Sequence, residues 1–243
     1  MNPKRYKEFM NLMEEIQNSP GQDVLGEIQR MQRSLNLVFG NKSSLVRVLE
    51  RLQSPDVSEE LAQEARRDDS NRAMDEVARL LHNFLTSAYS LVDHMRHHRS
   101  RLYVGTEFEQ RIKQEIASRF TNDDHHIITQ GLRNYVLHFG IAPIQTHFTF
   151  KPTGRVVGEG NITSNYSLPI EVLLHCEEWK AHQRDALSRI GERLEILAFV
   201  ETYFAKVESF YQWLWENQAV IHAEEIESSN KLRDRARTMY ESN

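Results

Sequence analysis

Apolar positions recur at intervals of three and four residues along most of this chain, the spacing that puts side chains on one face of a helix. Tyr6, Phe9, Met10, Met13 and Ile16 share such a face, and Asn18, Pro20 and Gly21 supply a stop. A second face, Leu25, Ile28, Met31, Leu35 and Val38, ends at Gly40-Asn41. Ser43-Ser44 are then placed to cap a third, short helix carrying Leu45, Leu49 and Leu52, closed by Ser54-Pro55. Residues 58–70 are rich in charge and poor in apolar side chains, so they read as a solvated helix or connector, and the boundary of the N-terminal unit falls there.

The clearest period runs Met74, Val77, Leu81, Phe84, Ala88, Leu91, Met95 and predicts one long helix. Such a stripe forms the seam of a bundle or meets a partner helix, and a plain core stripe is the ordinary case. Phe108, Ile112 and Ile116 mark the next helix. After the capping run Thr121-Asn122-Asp123-Asp124, a further helix carries Ile128, Leu132, Tyr135 and Val136 and stops near Gly140, before Pro143. The helical period then disappears. THFTFKPTGRVV and GEGNITSNYSL are β-rich around Pro152-Thr153-Gly154 and Gly158-Glu159-Gly160, so a β-hairpin is expected over about residues 146–167. Helical spacing resumes at Pro169, and one stripe, Ile190, Leu194, Leu197, Phe204, Val207, Tyr211 and Leu214, runs on through Trp213 and Trp215, read as core aromatics. The expected layout is an N-terminal helical extension over 1–55, an antiparallel helical bundle with a small hairpin insertion over 71–218, and a charged tail over 219–243 that frays.

Composition agrees with a mainly α fold. In 243 residues there are only 10 Gly and 6 Pro, too few turn residues for a many-stranded sandwich or barrel. Cys176 stands alone, so no intrachain disulfide or cysteine-based zinc site can form, and a reducing, cytoplasmic setting is expected. No apolar run approaches the length of a membrane span, and the N-terminus lacks a signal-peptide core. With a formal net charge of −5, broad attraction to nucleic acid or anionic lipid is not expected, which leaves room only for a local basic site.

The sequence contains no glycine-rich phosphate loop, no G-x-S-x-G elbow, no H-E-x-x-H and no dinucleotide fingerprint. His94, His97 and His98, beside Asp93, have the spacing of facial metal ligands. Leu91 and Met95 turn the core to another side of that helix, however, so these histidines read as a wet, basic end with Arg96, Arg99 and Arg101 and no metal is expected there. His125-His126, after two aspartates, read as capping and surface residues. What remains is LRNYVLHFGIAP, with Arg133 five positions before His138 and Asn134 next to the arginine. Chance alone gives about one Arg-x4-His pair in a chain of this composition, but only about 0.06 once Asn must follow the Arg.

Arg-Asn-x-x-x-His near the C-terminal end of a helix, within an all-α bundle, resembles the HEPN domain family (higher eukaryotes and prokaryotes nucleotide-binding), in particular uncharacterised bacterial members. The resemblance spans about residues 71–218. It rests on the LLHNFLTSAYSLVDHMRHH helix, the LRNYVLHFGIAP helix, and the LLHCEEW segment leading into ILAFVETYFAKVESFYQWL. The helices before residue 55 and the hairpin are departures from the family pattern. The resemblance implies a metal-independent endoribonuclease without cofactor, acting as a homodimer on single-stranded RNA, such as a toxin or phage-defence effector held in check by an inhibitory protein partner. His138 would take the 2′-OH proton and, from the second subunit, protonate the 5′ leaving oxygen, while the Arg133 fork would stabilise charge on the phosphate. Asn134 would hold the imidazole or contact phosphate, and Tyr135, Arg96 and Arg99 would contact substrate.

On an ideal helix Arg133 and His138 lie about 140° apart, so one chain alone makes a poor site. Gly140 could end the helix early and let His138 swing round, or a two-fold axis could bring in a second pair. Arg133 as an ion-paired bundle residue and His138 as a helix-dipole partner remain open. On that reading the protein is a HEPN-like dimerisation or nucleotide-binding scaffold without turnover. A basic surface of Arg96, Arg99, Arg101 and Lys113 at the motif groove would favour RNA; an acidic rim would favour the scaffold.

Overall fold

The stripe from Met74 to Met95 organises the molecule. In the computed structural model, which describes residues 3–152 and 160–241, it lies on one continuous helix whose Val77, Leu81, Phe84, Ala88, Leu91 and Met95 are buried. In chain order the elements are α1 (Pro3–Gln17), α2 (Pro20–Leu52), α3 (Pro55–Leu61), a 3-10 turn (Glu64–Arg66), α4 (Arg67–Leu102) and α5 (Glu107–Ile116), which runs into a π-helical turn (Ala117–Thr121). Then follow α6 (Asp124–His138), β1 (Gln145–Pro152), β2 (Gly160–Pro169), α7 (Ile170–Leu174), α8 (Ala181–Ile190), β3 (Arg193–Glu195), α9 (Ile196–Ile221) and α10 (Ala223–Glu241). Among the described residues this is a mainly α fold with one small three-stranded antiparallel sheet.

α2 is a single helix of 33 residues where the sequence predicts two. Gly40 lies within the helix, with open space where a Cβ would stand, and Ser44, expected to cap a new helix, bonds back to the Gly40 carbonyl at 2.9 Å. The physical reason is tertiary. Met31, Leu35 and Val38 before the glycine and Leu45 and Leu49 after it fall on one stripe that buries against α4, so continuing the helix keeps both halves in the core. The same core holds the α4, α6, α8 and α9 stripes and runs across the charged 58–70 stretch where the sequence suggests a boundary. That stretch is not wholly solvated. Ser58 is fully buried, and its Oγ accepts from Ser164 N–H at 3.0 Å and donates to the Leu52 carbonyl at 3.1 Å, tying α3 to β2.

At the N-terminus the buried side of α1 is Leu12 and Ile16, with Phe9 alongside, packed on Leu232 and Ala236 of α10. Tyr6, Met10 and Met13, expected on the buried face, are exposed, because α1 packs on a helix the sequence suggests is a fraying tail. The tail is ordered as α10 by this apolar contact and by polar ones such as Ser19 Oγ to Ser229 Oγ at 3.4 Å.

The hairpin is present as β1 and β2, in register from Gln145 opposite Ser167 to Pro152 opposite Gly160. Of its turn signals, residues 153–159 lie outside the described residues. A third strand, β3, pairs Leu194 with Leu168 and interrupts the stripe predicted to run unbroken from Ile190. Gly191, at φ +104°, makes the turn that ends α8 and redirects the chain into β3 before α9 begins. Downstream, Tyr211 is buried and Trp213 and Trp215 pack against the core, as their apolar spacing predicts.

Candidate functional site

The helix that carries Arg133, Asn134 and His138 is α6, and its sequence positions it at both ends. Asp123 is the N-cap, accepting from His126 N–H at 3.0 Å, and is itself ion-paired with Lys206 of α9. Asp124 receives a two-pronged contact from Arg189 of α8 at 2.5 and 2.9 Å. Two carboxylates thus sit at the positive end of the helix dipole, each anchored to a different neighbour. Ile128 and Leu132 are fully buried. Between them and Tyr135, Gly131 lets the ring of Trp179 lie directly on the helix backbone: a Cβ there would be 2.1 Å from the ring. Arg184 holds the Trp179 loop by donating to the carbonyls of Leu174 and Cys176 at 3.0 and 2.8 Å and of Trp179 at 3.3 Å.

α6 runs helical through His138, and the Phe139 and Gly140 amides both return to the Tyr135 carbonyl, at 2.9 and 3.1 Å. Gly140 does not take a left-handed conformation, so the early helix end that would swing His138 toward Arg133 does not occur. Arg133 and Asn134 are joined, Arg133 Nη1 donating to Asn134 Oδ1 at 2.9 Å. The Arg133 guanidinium lies 3.9 Å from the centroid of the Tyr89 ring on α4, a close cation–π contact. Its Nε is buried and, among the described residues, without a hydrogen-bond partner. His138 is elsewhere. Its exposed ring lines a surface groove with Asp75, Arg79 and His82 of α4, beside the exposed apolar side chains Leu137, Phe139 and Ile141. Among the described residues no hydrogen bond joins His138 to Arg133 or Asn134. His82 was not legible as a partner of this site, because it lies far from His138 in sequence and only the antiparallel packing of α4 on α6 unites them.

The expected substrate contacts lie apart from this groove. Tyr135 is buried, its ring 5.2 Å from Phe139 and 6.3 Å from Trp179, so it supports α6 rather than facing solvent. Arg96 and Arg99 line a different cavity, about 21 and 26 Å along α4 from His82 at 1.5 Å per residue. The supposed basic surface is also largely paired. Arg96 donates to Asp93 at 2.7 Å, Arg101 contacts Glu27 at 2.7 Å, Lys113 contacts Glu109 at 2.8 Å, and Arg99 stands 3.7 Å from Glu109.

The histidine cluster divides as well. His94 shares a 2.8 Å contact with Ser34 Oγ at the surface, but His98 is buried rather than wet. Gln218 donates to His98 and to Tyr103 Oη, the latter at 2.8 Å, and Tyr103 Oη is 3.0 Å from His222 Nε2. Burial holds the His98 imidazole well below its ordinary value, at about 4. Among the described residues no group of three His, Cys, Asp or Glu is placed to hold a metal ion. His125 and His126 are half-buried rather than fully at the surface: His125 stacks on Phe199, and His126, whose amide Asp123 caps, packs between Phe120 and Tyr203.

Compared with known proteins, the chain matches no family model, no curated protein and no solved structure. Fold and site together define a mainly α protein with an arginine–asparagine pair and an exposed histidine at the open end of one helix. Among the described residues no helix is long and apolar enough to cross a membrane.

Proposed function

We propose that this chain is an endoribonuclease of HEPN type that cleaves single-stranded RNA without a metal ion at the interface of a homodimer. The observation that carries this reading is the setting of His138. An imidazole stands exposed at the end of α6, ringed by Leu137, Phe139 and Ile141 at 37%, 57% and 80% exposure, an apolar collar of the kind that a second copy covers. Arg133 and His138 do not meet within one chain, so the working pair is Arg133 of one subunit with His138 of the partner subunit. The long seam on α4, which could have served as a dimer surface, is filled by the chain's own helices and contributes nothing to this interface.

In the reaction, His138 takes the proton from a ribose 2′-OH, the 2′ oxygen attacks the adjacent phosphorus, and the P–O5′ bond breaks. His138 of the partner subunit gives a proton to the departing 5′ oxygen, leaving a 2′,3′-cyclic phosphate and a 5′-hydroxyl. Arg133, whose Nε has no hydrogen-bond partner among the described residues, turns from Tyr89 to the non-bridging oxygens, and Asn134 steadies it. Toxin or defence roles with an inhibitory protein partner belong to this same reading.

A second reading is favoured by one specific feature. The Arg133 fork is already engaged by Tyr89 and Asn134, and Arg96 and Arg101 are paired with carboxylates, as suits a HEPN-like dimerisation or nucleotide-binding scaffold without turnover. The test is cleavage of single-stranded RNA in chelator. His138→Ala removes both proton-transfer groups and is expected to lose at least 10²–10⁴-fold, about the contribution of acid–base catalysis. Arg133→Ala is expected to lose comparably, and mixing the two inactive variants to restore part of the activity through heterodimers. Light scattering that gives a 28.5 kDa monomer at working concentration, or cleavage unchanged in both variants, overturns the composite site. A folded dimer that cleaves no RNA selects the scaffold.

A further inference from the structure

The cavity that Arg96 and Arg99 line has no part in the proposed nuclease site, and its construction is that of a small-molecule pocket. Its volume is about 170 Å³. Apolar walls come from four directions: Val38 on α2, Ala88 and Met95 on α4, Phe120 on the π-helical turn, and Tyr203 and Phe210 on α9. The π-helical turn is itself informative, since such turns displace side chains from α-helical positions and recur at functional sites. An apolar cavity of about 150 Å³ accommodates one benzene ring, so this one has room for a single aromatic ring and a short substituent.

One side of the cavity is polar. His126 and Gln130 of α6 lie there, joined by a 2.7 Å contact in which the Gln130 amide nitrogen donates to His126 Nε2. The imidazole proton then sits on Nδ1, which is buried and, among the described residues, has no hydrogen-bond partner. Burial also lowers the proton affinity of His126, so it presents a neutral N–H rather than a cation.

The cationic groups Arg96 and Arg99 line the same cavity. Arg99 is partly buried and its Nε, too, lacks a hydrogen-bond partner among the described residues. Its nearest carboxylate, Glu109, is already held by Lys113 at 2.8 Å and by the Gly105 N–H at 3.0 Å, and at 3.7 Å the Arg99 contact is too long for a hydrogen bond. Arg96, more exposed, is shared with Asp93. Three cations against two carboxylates leave this side net positive, and the most weakly engaged cation is the one beside the apolar chamber.

The geometry points to a binding site for a small aromatic carboxylate, its single ring among Ala88, Phe120, Tyr203 and Phe210 and its carboxylate on the Arg99 guanidinium. Ring size follows from the volume, and the negative head follows from the weakly engaged Arg99 guanidinium that lines the same cavity. A neutral ring alone would leave that cation without a close counter-charge, and an ammonium would meet a like charge.

Titration calorimetry of the full chain with phenylacetate, phenylacetamide and phenethylamine tests this assignment. Phenylacetate is expected to bind saturably with one site per chain, phenylacetamide at least tenfold more weakly, and phenethylamine not at all. Arg99→Gln removes the charge without altering the apolar walls of the chamber and is expected to weaken phenylacetate about ten- to a hundredfold, the worth of a charged hydrogen bond. Ala88→Leu places methyl groups in the chamber and is expected to abolish binding while circular dichroism stays native; should that variant not fold, Arg99→Gln carries the test alone. Absence of saturable phenylacetate binding at millimolar concentration overturns the site, as does equal affinity for phenethylamine or unaltered affinity in Arg99→Gln.

Discussion

Gly131→Ala adds a single methyl group to the helix that carries Arg133 and His138, and its cost follows from the packing of one ring. The new Cβ would stand 2.1, 2.7 and 3.1 Å from three carbons of the Trp179 ring. Carbon atoms in contact settle at about 3.5–4.0 Å, so the ring has to retreat by more than an ångström. It has little freedom to do so. Trp179 is 6% exposed, packs on Tyr135 one turn along α6, and stands on a loop whose carbonyls are gripped by Arg184. Alanine returns about 1 kcal/mol in helix propensity over glycine. Against that, overpacking costs about 1–3 kcal/mol, and complete expulsion of the ring costs as much as deleting a buried tryptophan, about 3–5 kcal/mol. Because the ring cannot retreat that far in place, the expulsion figure applies, and after the gain in helix propensity the expected net loss is about 2–4 kcal/mol, or a fall in Tm of roughly 4–16 °C for a chain of this length. Urea titration followed by circular dichroism and tryptophan fluorescence measures it. A double-mutant cycle with Trp179→Ala separates the clash from any other effect: in the Trp179→Ala background the methyl should be neutral or stabilising. Gly131→Ala as stable as the wild type would refute the reasoning, because it would mean that Trp179 does not hold α6 in place.

Two further expectations concern the supports of the fold. His98 is held near 4 by burial, with Glu27 opposing that shift and His222 and Arg30 adding to it, so the unfolded chain binds its proton first. Stability from this group is fully present above about pH 6.5 and is lost as pH falls toward 4, by up to about 3 kcal/mol, and His98→Gln should flatten that part of a stability–pH curve; parallel curves would contradict it. Ser58→Ala strips the buried Ser164 N–H of its acceptor and should cost about 1–3 kcal/mol by urea titration, whereas a loss under 0.5 kcal/mol, about what an ordinary surface change produces, would show that the α3–β2 tie is dispensable.

Periodicity made the helices legible where one neighbour dominates. The α4 stripe appears in the fold as the spacing predicts, because seven apolar positions in strict register have one low-energy arrangement, a face turned to the core. It failed where two signals compete. Gly40-Asn41 and Ser43-Ser44 carry ordinary stop and start chemistry, and the core overrode it; the apolar residues of α1 admit more than one face, and α10 chose among them. β3 was hidden because three residues between a glycine and a long helix are too short for a period of two to register.

The site shows the same division. Arg133, Asn134 and His138 could be singled out from composition and spacing, as could the capping role of the aspartates before α6, since both depend on residues close together in the chain. Exposure could not. That His138 faces a groove with His82, that Tyr135 is buried beneath Trp179, and that Arg96 and Arg99 serve a separate cavity all depend on which helix packs against which. By itself the sequence determined the helical faces, the hairpin and the identity of the motif, because those are set by neighbours within a turn or two. Tertiary structure alone decided what each polar side chain meets, because burial and partnership are properties of segments that come together only on folding.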